Sequence, residues 1–157
     1  MKRMKRPSPL LSFVLALLPA CSAKPDAQWV EAELPGPSQH VLFEVARLAM
    51  RQHDYVVLVN EFDPVTRTAR SGWRLDMHPF SGEGFRERVE VSYAPGQPGS
   101  SRVRVRVRVE RQVNKNIARP LDPEYADWKP STDDPARARA VLQTIRSTLG
   151  STPPAGD

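Results

Sequence analysis

The chain of 157 residues has one cysteine and three histidines, and both shortages limit the chemistry it can perform. A single cysteine excludes an intramolecular disulfide. His40, His53 and His78 are far apart and form neither the H-x-H nor the H-E-x-x-H spacing that holds a catalytic metal. The sequence therefore predicts no metal site and no cofactor.

Other catalytic patterns are missing as well. The sequence contains no G-x-S-x-G nucleophile motif and no glycine-rich phosphate loop. Glu61 and Asp63 lie two residues apart at a strand end, where solvated turn carboxylates are common. Asp133 and Asp134 are explained as caps at the start of a helix. Because no titratable residues assemble into a site, we expect no catalytic residues and a protein that is not an enzyme.

The chain also lacks an apolar run long enough to cross a bilayer as a helix, which takes about 20 residues. Its longest run, residues 10–18, has nine residues and is broken only by Ser12; it follows a basic segment and precedes Cys21. This order is typical of a secretory signal. Leu18, Ala20 and Cys21 occupy the positions of a lipobox, so the segment resembles a bacterial lipoprotein signal peptide. Pro19 departs from the small or aliphatic residue usual at its position.

The resemblance implies cleavage after residue 20, a diacylglyceryl thioether on Cys21 and an acyl chain, such as palmitate, on the new amino terminus. Two or more acyl chains anchor a protein stably in a membrane, whereas one acyl chain does so only marginally. Ser22 follows the cysteine in place of Asp, which implies sorting to the periplasmic face of the outer membrane. The alternative is ordinary signal cleavage, which would leave a soluble periplasmic protein with a free thiol.

Outside this signal, basic and acidic residues nearly balance, so the net charge is small. The chain carries 23 basic and 18 acidic residues, but residues 1–20 hold four of the basic ones and no acidic one. The rest of the chain therefore has a net charge of about +1. This balance lacks the strongly basic character of nucleic-acid-binding proteins, and we expect no nucleic-acid partner.

What the chain does have is a strict alternation of valine and arginine in residues 101–111. A β-strand sends successive side chains to opposite faces, so the valines line one face and the arginines the other. The pattern predicts a strand in a sheet with one buried face and one solvent-exposed, cationic face. This arrangement is common in antiparallel sheets.

Three further strands are predicted before this one, at residues 55–62, 66–77 and 85–93. Amphipathic helices are predicted from Ser38 to about His53 and after Asp134, and residues 112–130 read as a loop. The fold class is therefore α+β, a two-layer sandwich in which a four-stranded antiparallel meander carries both helices on one face. In a plain meander the valine–arginine strand is an edge, where arginines also discourage pairing with another chain.

This organisation divides the chain into four parts. Residues 1–20 are the signal peptide, 21–37 a lipidated tether, 38–150 a single α+β domain and 151–157 a disordered tail. Trp29 and Val30 interrupt the polarity of the tether. The sequence leaves open whether they dock on the domain or begin a short edge strand.

A tethered domain of this order resembles the helix-grip domains of the accessory C lipoprotein of the β-barrel assembly machinery. The matching features are the lipobox at Cys21, a strand carrying Trp73, the Arg86-x-Arg88 strand and the amphipathic helix from Asp134. The likeness is one of pattern over residues 38–150, and that family usually has two such domains where this chain has one. It implies an accessory role in outer-membrane protein assembly.

The arginines of the predicted sheet are the feature that suits binding. A planar guanidinium matches phosphate and carboxylate groups, and periplasmic anions include lipid head groups, glycan carboxylates and acidic proteins. The plainest interpretation is a solvated surface whose repulsion is relieved by Glu90 and Asp76. The candidate anion- or partner-binding residues are Arg102, Arg104, Arg106 and Arg108, joined from neighbouring strands by Arg70, Arg74 and Arg88.

Three functions stay open on this basis. We favour a lipid-anchored, non-enzymatic envelope module that binds another protein through its sheet. The alternative is a module that binds anionic lipid or glycan through the same arginines. A periplasmic enzyme is the least favoured function, because the sequence shows no assembled site.

Overall fold

Two α-helices and seven β-strands form the part of the chain that the computed structural model describes, residues 25–35, 38–80, 82–114, 118–119 and 121–151. The helices are α1 (Gln39–Gln52) and α2 (Pro135–Ser151), and a short 3-10 helix spans Pro123–Tyr125. The strands are β1 (Val30–Pro35), β2 (Val57–Asp63), β3 (Thr68–Ser71), β4 (Arg74–His78), β5 (Glu83–Pro95), β6 (Ser100–Asn114) and β7 (Ala126–Pro130).

The seven strands make one antiparallel sheet in the order β1-β6-β5-β3-β2, with β4 paired to β5 and β7 paired to β6. The long strands β5 and β6 form its centre, in register from Phe85 opposite Arg111 to Pro95 opposite Ser101. The α+β class predicted from the sequence is confirmed, but the four-stranded meander is less than the structure contains. The difference arises because the sequence pattern of β1 reads as a tether, that of β7 as a loop, and those of β3 and β4 as one strand.

The valine–arginine strand β6 is central and not an edge. One side of it pairs with β5, and the other pairs with β1 at Val105 and with β7 at Gln112. Between those two strands, the amides of Ser131 and Asp134 donate to the carbonyls of Val109 and Val107. The edge role predicted for these arginines is therefore wrong.

The valine face of β6 lies in a single core shared with both helices. Val103, Val105 and Val107 are fully buried, and they cluster with residues of β5, α1 and α2. Helix α2 packs against β6 and β1, α1 packs against β2 and β3, and the two helices contact each other. Burial of the valine side and its coverage by both helices agree with the sequence pattern, because a period-two apolar row needs an apolar partner layer.

The helices begin where their capping residues predict. The Ser38 hydroxyl accepts from the amide of Val41 at 3.5 Å, and the Asp134 carboxylate accepts from the amide of Arg137 at 2.9 Å. These side chains satisfy amides that have no partner within the first helical turn.

A break at Gly72 and Trp73 divides the predicted strand 66–77 into β3 and β4. Both pieces pair with β5, Ala69 opposite Val91 and Arg74 opposite Glu87. Residues directly opposite each other in an antiparallel pair share a face, so the alternation changes phase across the break. Arg74 lies on the helix side of the sheet, where the uninterrupted alternation does not place it.

The range 21–37, predicted as a tether, contains strand β1. Val30 to Pro35 pair in register with Val105 to Ser100 of β6, and Leu34 is buried. This resolves the open question about Val30, since an alternating Val-Glu-Ala-Glu-Leu run supplies alternate apolar residues to the core. The signal peptide 1–20, Cys21 and residues 152–157 of the predicted tail lie outside the described residues.

Candidate functional site

The sheet face opposite the helices, here called the arginine face, carries Arg86, Arg88, Arg102, Arg104, Arg106 and Arg108. Strict alternation along β5 and β6 places them there, because the odd-numbered residues beside them turn toward the core. Arg70 of β3 joins this face, since it lies opposite Glu90 of β5 in the register. Six of the seven predicted arginines are thus brought to one face, and the sequence prediction omitted Arg86.

The buried carboxylate of Glu110 joins two of these arginines. Its oxygens lie 2.7 Å from Nε of Arg86 and 2.5 Å from Nη2 of Arg108, and its side chain is 5% exposed. Charge-assisted pairs of this kind are stronger than neutral hydrogen bonds. Two cations therefore share one anion at this end of the face.

A second cluster combines two arginines with two acids. Arg106 donates from Nε and Nη2 to the two oxygens of Asp133, at 2.6 and 3.3 Å. Arg88 donates to Glu90 at 3.1 Å, and Arg106 lies 3.7 Å from the same carboxylate. Asp133 also accepts from the amide of Gln28 at 2.9 Å. Asp133 is therefore an ion-pair partner, and the helix cap assigned to it is provided by Asp134 alone.

All three tryptophans of the chain stack on guanidinium groups of this face. The ring centroid of Trp73 lies 4.3 Å from the guanidinium carbon of Arg86 and 4.6 Å from that of Arg88. The ring centroid of Trp128 lies 4.7 Å from the guanidinium carbon of Arg86. These distances are those of cation–π contacts. Strand alternation did not predict the contacts of Trp73, because this residue reaches the arginine face only through the break before β4.

The third tryptophan precedes β1. The ring of Trp29 lies 4.9 Å from the guanidinium of Arg104 and 5.9 Å from that of Arg106. All three rings are partly buried, so each contributes an apolar body to a surface that the sequence pattern predicts to be purely cationic.

The arginine face is consequently much less cationic than the sequence suggests. Arg86, Arg88, Arg106 and Arg108 have side chains 26% exposed or less and are paired with acids. Arg104 has a looser pair with Glu31 at 3.7 Å, with both side chains substantially exposed. The described residues show no ion pair for Arg102 or Arg70, both of which are exposed.

Arg74 is absent from this face, which corrects its assignment. Its Nε donates to Glu87 at 2.9 Å, its Nη1 donates to the carbonyl of His53 at 3.1 Å, and its guanidinium lies over the ring of Tyr55. The hydroxyl of Tyr55 and the guanidinium of Arg137 also donate to Glu87. The buried Glu87 carboxylate is thus paired with two guanidinium groups and one hydroxyl on the helix side.

The buried environment of this network shifts the pKa of Tyr55. Burial, and then the nearby Glu87 carboxylate, raise the pKa of the Tyr55 hydroxyl far above its usual value near 10. Glu87, Arg74, Arg137 and Tyr55 satisfy one another, so the arrangement stabilises the junction of β5, β4 and α2.

Within the described ranges, no three His, Cys, Asp or Glu side chains converge as metal ligands would. His53 lies 2.9 Å from the hydroxyl of Thr144, and His78 lies 3.4 Å from the carboxylate of Asp76. Neither described helix has the length and apolar character needed to cross a membrane.

Comparison with models of known protein families gives no match, and no curated protein is significantly similar to the chain. Its function is therefore inferred from the residues and their geometry.

Proposed function

We propose that this protein is a lipid-anchored, non-enzymatic module of the bacterial cell envelope that binds another protein through its arginine face. The observation that carries the proposal is the stacking of Trp29, Trp73 and Trp128 on arginines of the sheet face opposite the helices. Tryptophan and arginine are among the residues most enriched at the positions that dominate binding energy in protein interfaces.

The ion pairs support a protein partner over a bare anion. Most arginines on this face already have a carboxylate, so their planes are held in fixed positions and their charge is largely compensated. A rigid surface loses little side-chain freedom when a partner binds, which favours affinity. Both described helices pack on the opposite side of the sheet, so neither of them covers the arginine face.

The proposed anchor follows from Leu18, Ala20 and Cys21, together with the position of β1. Val30 lies nine residues after Cys21, and that connection spans at most roughly 30 Å when extended. Lipidation of Cys21 would hold the sheet close to the membrane, on the periplasmic face of the outer membrane. The partner would then be an envelope protein, and the resemblance to the accessory C lipoprotein suggests the outer-membrane assembly proteins as the first to examine.

Photocrosslinking in cells tests this proposal. A benzophenone amino acid at Arg102 or Trp128 should give a discrete protein adduct, whereas the same probe at Arg139, which is exposed on α2, should not. Adducts of equal yield from Arg102 and Arg139, or none from either position on the arginine face, would exclude this surface as the binding site. A Cys21→Ser variant should lose labelling by a palmitate analogue, and unchanged labelling would refute Cys21 as the attachment point.

One observation favours anionic lipid or glycan as a second candidate ligand. Arg102 is exposed without a described ion pair, and Arg104 beside it has only the loose contact with Glu31. All three tryptophans lie on this face, so their fluorescence should shift on binding phosphatidylglycerol vesicles and not phosphatidylcholine vesicles. Arg102→Glu with Arg104→Glu should abolish the shift, and no shift in the unlipidated parent protein would remove this candidate.

A further inference from the structure

Strand β4 has an open side. Its residues pair with β5 from Arg74 opposite Glu87 to His78 opposite Glu83. Among the strands that the structure describes, none pairs with β4 on its other side, because β2 pairs only with β3 and reaches Val57 opposite Ser71. The connection from α1 to β2 contacts β4 at Arg74, whose guanidinium binds the carbonyl of His53. Residues 75–77 therefore have no described strand along their second edge.

Apolar side chains gather beside this edge on the arginine face. Leu75 is 51% exposed, Val56 60% and Leu58 42%. Val56 and Leu58 adjoin the break before β4, since a Cβ on Gly72 would lie 3.4 and 3.7 Å from them. Leu75 follows Trp73 by two residues, and both side chains lie on the arginine face beside Arg86 of β5.

The other side of the same edge is polar. Asp76 and His78 have side chains 58% and 51% exposed, and they lie on the helix side of the sheet opposite Phe85 and Glu83. Strand β4 thus alternates between apolar residues on the arginine face and polar residues on the helix face.

We propose that the open edge of β4 accepts an extended segment of the partner protein as an additional strand, a conclusion that rests on the proposed function. Main-chain donors and acceptors along a strand edge are matched in a row only by another extended backbone. Alternate apolar residues of that segment would contact Leu75, Trp73 and Leu58 on the arginine face. Its intervening residues would be polar, with a cationic side chain best suited to the position beside Asp76.

Crosslinking at two adjacent residues separates strand addition from docking on the face alone. An added strand runs past both faces of the edge, so the benzophenone probe should give the same partner adduct from Leu75 and from Asp76. Docking only on the arginine face would give the adduct from Leu75 and Arg102 but not from Asp76. That result would overturn strand addition while leaving the proposed function intact, whereas loss of every adduct would overturn both.

Proline substitutions provide the second measurement. Amides of adjacent strand residues point to opposite edges, so one of Asp76→Pro and Met77→Pro removes an amide from the open edge and the other removes one that pairs with β5. The variant that keeps the parent's thermal unfolding temperature should reduce the Leu75 adduct about tenfold. An undiminished adduct in that variant would overturn the proposal. If both variants unfold, the crosslinks from Leu75 and Asp76 determine whether the partner adds a strand to β4.

The mass of the adduct identifies the occupant. An adduct that contains a different protein, crosslinked through an extended segment, supports the proposal. An adduct at twice the mass of this chain would show that a second copy pairs with β4, and would overturn the assignment of the edge to a different partner.

Discussion

The carboxylate of Asp133 binds the guanidinium of Arg106 through two hydrogen bonds, at 2.6 and 3.3 Å. The pair fixes the segment before α2 to the middle of β6, across 27 residues of sequence. Both side chains are largely buried, at 3% exposed for Asp133 and 17% for Arg106. Removal of one partner would therefore leave a charge with little access to water.

We expect Asp133→Ala to lower the free energy of unfolding by about 2–4 kcal/mol, because Arg106 keeps only its longer contact with Glu90. Urea unfolding followed by tryptophan fluorescence measures the change. Glu44→Ala is the matched control, since its pair with Arg47 is exposed on α1 and should contribute at most about 1 kcal/mol. Equal losses in the two variants would contradict a special role for Asp133.

The protein should lose stability in alkali through its buried tyrosines. Burial raises the pKa of Tyr55 and of Tyr93 well above the value near 10 of an unfolded tyrosine. The folded state therefore favours the neutral phenol, and this contribution is complete below pH 10 and is lost as the pH rises toward the raised values.

Tyrosinate absorbance and circular dichroism during an alkaline titration check this prediction. In a Tyr125→Phe background, which removes the exposed tyrosine, ionisation should coincide with unfolding. Ionisation that is complete while the circular dichroism is still native would show that the two hydroxyls are accessible. Tyr55→Phe should reduce the alkaline loss of stability, although it also removes the hydrogen bond to Glu87 at 3.0 Å.

Two glycine substitutions should change stability in opposite directions. A Cβ on Gly84 would lie 2.2 Å from Oε1 of Gln112 and 2.7 Å from Sδ of Met77, so both side chains must move. Those two atoms lie near the ends of flexible side chains, but Cβ of Gln112 lies 3.2 Å away, so we expect Gly84→Ala to destabilise the fold by about 1 kcal/mol. Gly150 lies in α2, where an added methyl group would have no atom within 4 Å, and Gly150→Ala should stabilise by up to about 1 kcal/mol. Thermal unfolding with the same sign for both variants would contradict this packing.

The valine side of β6 should be far more sensitive than a valine at the surface. Val105 is completely buried between β5, β1 and the helices, whereas Val65 in the β2–β3 turn is 89% exposed. We expect Val105→Ala to cost about 2–3 kcal/mol through lost burial and an unfilled cavity. Val65→Ala should change stability by less than about 0.5 kcal/mol. A small effect at Val105 in urea unfolding would argue against the central position of β6.

Local patterns were enough to predict several elements correctly. Both helices, their caps at Ser38 and Asp134, and the burial of the β6 valines follow from side-chain spacing within a few residues. The same holds for the placement of Arg88 and the β6 arginines on one face, because strand alternation does not depend on distant residues. The lipoprotein signal at Cys21 and the envelope function stay predictions, since they concern covalent modification and location in the cell, which the described fold does not record.

The amino-acid sequence by itself determined which face of β6 is apolar, where the helices start and that the fold is α+β. Only the tertiary structure decided that Val30 to Pro35 join the sheet, that Arg74 turns to Glu87, and that Trp73 reaches the arginines. These outcomes depend on pairings between residues far apart in the chain, and on a break in one strand that reverses its faces. Side-chain periodicity carries no information about either, because it records a residue's direction and not its neighbour.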